Sequence, residues 1–334
     1  MHNKLSMLLC LTLAAGLFNC CSIGAAASGN ESDAKTLSIV TTIFPEYDWV
    51  KQILGETVEQ AYLTMLLDSG VDLHSYQPTV EDLVTISNCD LFIYVGGESD
   101  DWVEDALATV TNTDMTVINL LDVLGDSVKE EEVVEGMEAE EEEKEDEEED
   151  AEEGEIEYDE HVWLSLKNAE VICQYICDRL CEMDEANAGT YTANTQAYLE
   201  ELDALDTQYE EAVSAAAYTT LLFGDRFPFR YLADDYGLDY YAAFSGCSAE
   251  SEASFETIAF LAGKVDELGL TTVLTIEGTD HSIAETIVST ASSEDVQILI
   301  LDSMQSTVSA DVEAGATYLS IMESNLDVLT QALN

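Results

Sequence analysis

The stretch from 188 to 217 (AGTYTANTQAYLEELDALDTQYEEAVSAAA) constrains the fold more than any other part of this sequence. It has no proline, its apolar positions recur at helical spacing, and at 1.5 Å per residue a single helix of this length would span about 45 Å. On either side the pattern changes to short apolar runs rich in β-branched and aromatic residues, alternating with helical patterns. TLSIVTTI (36–43) and LFIYV (91–95) precede the stretch; TTLLFG (219–224), TTVLTI (271–276) and QILILD (297–302) follow it. Such βαβ punctuation implies parallel sheets. The expected architecture is therefore α/β: two lobes with parallel-type sheets and flanking helices, joined by one long rigid helix. The expected boundaries are a first lobe at 36–187, the linking helix at 188–217 and a second lobe at 218–334.

In open α/β sheets, ligands sit beyond the carboxyl ends of the strands, so a two-lobed chain of this kind should bind in the cleft between the lobes. Charge narrows the class of ligand. Ten Lys and Arg stand against 70 Asp and Glu, a formal net charge of −60. That excludes nucleic acid and electrostatic docking onto anionic lipid, and makes cations the natural partners. Residues 126–160 hold 22 acids and two lysines. This run repels itself and has no apolar period, so 126–158 reads as a solvated, mobile loop inserted in the first lobe.

The amino terminus carries Lys4 and an apolar run from Leu5 to Phe18, the length of a signal-peptide core and too short to span a bilayer. Leu17 stands three positions before Cys20, and Cys20 or Cys21 would be the lipidated residue of a lipoprotein signal (1–20) followed by a polar tether (21–35). Export to the outer face of the cytoplasmic membrane, or to a periplasm, follows, with anchoring by acyl chains alone. Cys173, Cys177 and Cys181 share one helical face and read as packed core, not as disulfides. Cys89 and Cys247 have no motif around them.

The mature chain has three histidines, His74, His161 and His281. The first two stand in longer motifs. Gly70, Asp72, His74, Tyr76, Pro78 and Thr79 follow in order in one segment; Asp159, His161, Trp163, Leu164 and Asn168 do so in another. With FPEYDWVKQILG (44–55), LFIYVGGESDDWVEDAL (91–107) and TYLSIMESNLDVLTQAL (317–333), these segments resemble the metal-binding lipoproteins that feed zinc and manganese to bacterial ABC transporters. The resemblance extends over residues 36–334. It implies two lobes joined by one long helix, a metal site in the cleft, and His74 and His161 as ligands. The third ligand would be at Asp225 or Arg226, before the helix that closes at Tyr236-Gly237. Asp225 is the expected residue, because a guanidinium cannot bind a metal. Asp302, just beyond a late strand, would be the fourth, with Glu277 and His281 as neighbours or alternatives.

Two imidazoles and two carboxylates suit Zn2+, and also Mn2+. Asp72 and Asp159 are placed to fix the imidazole tautomers. Four protein ligands leave no position for a reacting water, so carriage is expected and catalysis is not. The resemblance implies a monomeric carrier that hands its ion to an ABC permease and its ATPase. The relatives' His-rich loop is replaced here by the acidic run, a low-affinity cation collector on this reading. The competing readings are a surface adhesion lipoprotein with a structural metal, and a secreted metal-dependent hydrolase. The second is disfavoured by the absence of HExxH and Gly-x-Ser-x-Gly motifs.

Overall fold

The structure is a computed structural model that describes residues 36–138, 157–248, 252–293 and 295–334. Cys20, Cys21 and most of the acidic run lie outside these residues. Residues 36–334 form one compact unit. Its first lobe holds β1 (Ser38–Thr41), α1 (Phe44–Leu54), β2 (Tyr62–Met65), α2 (Val80–Asn88), β3 (Leu91–Tyr94), α3 (Trp102–Ala108), β4 (Thr116–Asn119), α4 (Leu120–Leu124) and α5 (Leu166–Met183). The connector α6 is a single helix, Ala188–Ala215. The second lobe holds β5 (Thr220–Phe227), α7 (Arg230–Tyr236), β6 (Asp239–Ser245), α8 (Phe255–Leu268), β7 (Thr272–Thr275), α9 (Ser282–Thr290), β8 (Gln297–Ile300), α10 (Ser309–Ala314) and α11 (Tyr318–Ala332).

Each lobe carries one four-stranded sheet, β2-β1-β3-β4 and β6-β5-β7-β8, with every pairing parallel. Strand order reverses beside the first strand of each lobe, so each sheet has a switch point at its carboxyl edge. Alternation along the strands divides the core. Ile39, Leu91 and Ile93 face a continuous core that also takes in Tyr209, Phe223, Leu274 and Tyr318, whereas Val40 and Phe92 join a smaller cluster on the outer face. Leu222, Ala243, Val265 and Val273 form the matching outer cluster of the second lobe.

Helix α6 buries Tyr191, Thr195, Tyr198, Leu202, Leu205 and Tyr209, alternate steps of four and three that keep one stripe inward. It packs against α1 and α5 of one lobe and α11 of the other. Tyr209 donates its hydroxyl to the Met322 carbonyl at 2.6 Å. Across the lobes, the Tyr318 N–H donates to Asp48 Oδ2 at 2.9 Å, and the Trp163 indole N–H donates to the Ser303 carbonyl at 2.9 Å.

The flanks of the acidic run are built into the fold, a correction to the solvated loop expected for 126–158. The Glu131 N–H reaches the Glu157 carbonyl and the Asp159 N–H the Lys129 carbonyl, both at 2.9 Å. Further on, Glu138 pairs with Phe244 along the free edge of β6, so the segment crosses from the first lobe to the second. Its acids find donors there. Glu132 meets Arg230 at 2.7 Å and accepts the Tyr240 hydroxyl at 3.0 Å. Partnered charges lose the mutual repulsion from which a mobile loop was inferred.

Of the three cysteines expected in the core, Cys173 and Cys177 are buried on the inner face of α5 and Cys181 is half-buried against it; the five described cysteines are free thiols.

A buried acid at the start of α1 gives a pH prediction. Glu46 Oε2 accepts the Thr42 N–H at 2.8 Å, the Thr42 hydroxyl at 3.1 Å and the Ile43 N–H at 3.3 Å, while Oε1 has no hydrogen-bond partner. Burial, and then the charge of Asp100, pushes its carboxyl from 4.5 up to about 8. Between those values the folded protein keeps a proton that the unfolded chain has lost, so this group's contribution is full at low pH and fades as pH rises. Each pH unit in that window costs up to about 1.4 kcal/mol. Glu46→Gln should therefore melt above wild type at pH 8, with the gap closing towards pH 4.5. Parallel pH slopes for the two proteins would contradict this.

Candidate metal centre

The first histidine segment is folded by its own side chains. Asp72 accepts the His74 N–H at 3.0 Å and turns the chain after β2; Thr79 and Asp82 cap each other to start α2; the Tyr76 hydroxyl donates to Asp82 at 2.9 Å. The second segment is made the same way. Asp159 Oδ1 accepts the His161 N–H at 2.9 Å, and Ser165 caps α5 through the Asn168 N–H at 3.0 Å. These local bonds account for the spacing of both motifs and present two imidazoles to one point.

His74 and His161 meet with Nε2 atoms 3.2 Å apart and ring centroids 5.1 Å apart. His161 is wholly buried, with the Trp163 ring beside it. Its Nδ1 stands 3.0 Å from Asp159 Oδ1. A carboxylate only accepts, so that Nδ1 carries the proton and Nε2 keeps a lone pair. His74 Nδ1 lies 2.7 Å from Ser99 Oγ and 3.5 Å from Glu160 Oε2, a buried oxygen with no hydrogen-bond partner. An Nδ1–H directed at that pair again leaves the lone pair on Nε2. Two lone pairs then face each other, an arrangement satisfied by a cation between them. Ligands about 2.05 Å from a tetrahedral zinc lie about 3.3 Å apart, which matches the observed separation. Burial, followed by the neighbouring His161, holds the His74 imidazole down to about 3, so it is neutral and available at ordinary pH.

Ser99 and Glu160 escaped sequence reading, although both lie inside or beside its motifs. The Ser99 N–H donates to Glu160 Oε1 at 2.8 Å, and a Cβ at Gly97 (φ 84°) would collide with that carboxylate, so the Gly96-Gly97 turn is what lets Glu160 reach His74. Arg226 lies close by, its guanidinium paired with Asp72.

Among the described residues, His74, His161 and Cys247 form a group whose donor atoms all lie within 4.8 Å of one another. Cys247 has no motif that would have nominated it. Asp225 and Asp302 stand outside this group. Asp225 Oδ2 accepts the Thr275 hydroxyl at 2.6 Å, the Thr279 hydroxyl at 3.0 Å and the Ile276 N–H at 3.4 Å. It borders a cavity of about 410 Å³ whose wall also includes Arg226, Thr279 and His281. His281 Nδ1 lies 3.2 Å from both threonine hydroxyls. Glu277 accepts the Ser303 N–H at 2.7 Å and the Gln305 N–H at 3.1 Å. Burial and the charge of Glu277 push the neighbouring Asp302 carboxyl up to about 7.

The family model described as "ZnuA: Zinc-uptake complex component A periplasmic" matches residues 39–332. The zinc-binding lipoprotein AdcA of Streptococcus pneumoniae (strain TIGR4) is 31% identical over 329 residues, covering 98% of this chain and 61% of that protein. The chain thus spans about six tenths of the length of that relative. The high-affinity zinc uptake system protein ZnuA of Bacillus subtilis (strain 168) is 29% identical over 320 residues, covering 94% of this chain and 95% of that one. The crystal structure of the Zn(II)-bound ZnuA-like domain of S. pneumoniae AdcA is similar with a TM-score of 0.68 at 28% identity, covering 90% of this chain and 99% of that one.

Proposed function

The chain belongs to the family of the periplasmic component A of zinc-uptake complexes, and we propose on that premise that it captures a divalent transition metal, zinc before manganese, and releases it to an ABC transporter. The observation that carries this reading is the 3.2 Å approach of two imidazole nitrogens whose other ring nitrogens meet Asp159 and Ser99. His74 and His161 are the ligands on this reading, one from each motif. Asp225 and Asp302 lie at the carboxyl edge of the second sheet. The permease and its ATPase are the partners. The protein acts as an exported monomer held to the membrane by lipid on Cys20 or Cys21. Among the described residues no helix is long and apolar enough to cross a membrane, which suits anchoring of that kind. The zinc-binding names of the relatives, and the nitrogen donors themselves, favour zinc over manganese.

Elemental analysis with competition titration tests the reading. Metal-free protein should take up one zinc per chain, retain it against excess manganese, and give it to a chelator without unfolding. A carrier exchanges its ion with the fold intact, whereas a structural site loses its fold with the metal. Failure to bind zinc stoichiometrically would refute the proposal.

The carboxylate behind His161 should matter in proportion. Loss of an outer partner of a metal-bound imidazole costs about 10–100-fold in affinity. Asp159→Asn should weaken zinc by that factor while keeping one zinc per chain, read by competition with a chromophoric chelator; unchanged affinity would show that Asp159 does not set the tautomer.

A further inference from the structure

The strand position at which the resemblance expects a third ligand offers none in the group around the histidines. Asp225 is engaged by Thr275, Thr279 and the Ile276 N–H. Arg226 has no electron pair to lend and is spent on Asp72. The neighbouring strand supplies a donor instead. β6 runs parallel to β5, with Arg226 opposite Phe244 and Phe227 opposite Ser245, so both strands deliver their carboxyl ends to the same edge. The chain leaves β6 in a turn, Ser245 to Ser248, closed by the Ser248 N–H on the Ser245 carbonyl at 3.4 Å. Gly246 allows this turn to lie on His161: a Cβ there would stand 2.9 Å from the Phe227 carbonyl oxygen and 3.1 Å from His161 Cε1 and Nδ1. The Cys247 N–H is held at 3.1 Å by Glu131 Oε1, from the segment that crosses between the lobes. The side chain that follows Gly246 is thereby fixed against both imidazoles, with all three donor atoms within 4.8 Å.

We propose that Cys247 Sγ is a direct ligand of the transported ion, so that this chain binds its metal through two imidazole nitrogens and one thiolate. The inference rests on the reading of His74 and His161 as the metal site. When the ion binds, the S–H bond breaks, its proton passes to bulk water, and the sulfur pair forms the metal–sulfur bond; nothing is oxidised or reduced. From a tetrahedral zinc, a nitrogen and a sulfur ligand lie about 3.6 Å apart, inside the 4.8 Å that bounds the three donor atoms here. A soft thiolate also discriminates: it favours zinc over manganese, which prefers oxygen.

Cobalt(II) and zinc titrations of the full chain test this, with circular dichroism confirming that each variant is folded. Cobalt bound by wild type should show an intense near-ultraviolet thiolate-to-metal charge-transfer band, absent from Cys247→Ser and Cys247→Ala. Zinc affinity should fall at least about tenfold in both variants, and manganese affinity by less than about threefold. A cobalt complex without that band, or a band that survives in both variants, overturns the thiolate ligand and leaves the histidine site standing. Wild-type protein that binds neither metal overturns both.

Discussion

Replacing His161 with alanine is expected to reduce zinc affinity by about 10³-fold or more, well beyond the roughly 10–100-fold that loss of an outer partner costs. The residue is wholly buried, it meets His74 nitrogen to nitrogen, and its carboxylate partner Asp159 would be left with no imidazole to orient. Thermal stabilisation by zinc makes the effect measurable without isolating the metal step. At a free zinc concentration of 1,000 times the wild-type Kd, the ion should stabilise wild type by about 4 kcal/mol and a variant weakened 10³-fold by less than about 0.5 kcal/mol. The metal-free variant serves as reference, since an alanine cavity lowers stability whether or not zinc is present. Equal zinc-induced shifts in wild type and His161→Ala would remove His161 from the site.

What could be read from the sequence was what is encoded locally. Both parallel sheets, the single helix Ala188–Ala215 and the two histidine motifs follow from periodicity or from bonds between residues two to six apart. Each such bond joins residues that any reading of the segment sees together. The rest of the site depends on distant residues. Cys247 reaches the histidines only because β6 pairs with β5 in one register, Arg226 finds Asp72 across 154 positions, and Glu160 meets Ser99 across 61. Asp225 is the third ligand that the resemblance implies, yet nothing in its own segment shows that two threonines from the β7 end occupy its carboxylate. The acidic run misled at its flanks for a related reason. A count of charges sees repulsion, while Arg230, Tyr240 and the free edge of β6 come from a lobe that the count treats as absent.

Trp163→Ala should be the most destabilising single change near the site, at about 3–5 kcal/mol, the range for emptying a buried aromatic position. The indole is completely buried and packs on His161 with ring centroids 5.2 Å apart. Its N–H donates to the Ser303 carbonyl of the other lobe, beside Asp302, so the side chain both fills the core and ties the two sheets' carboxyl edges. Trp163→Phe separates these roles. Phenylalanine retains the aromatic packing and leaves the Ser303 carbonyl without its donor, a loss of about 1–3 kcal/mol for a buried acceptor left unsatisfied. Chemical denaturation of the metal-free proteins should therefore rank wild type above Trp163→Phe above Trp163→Ala. If Trp163→Phe unfolds with wild type, the bond across the lobes contributes nothing net and the tryptophan acts by volume alone. If it lies midway, a single side chain sets both the seat of one proposed metal ligand and the distance between the sheets that flank it, and changes to the core on one side would then alter metal affinity on the other.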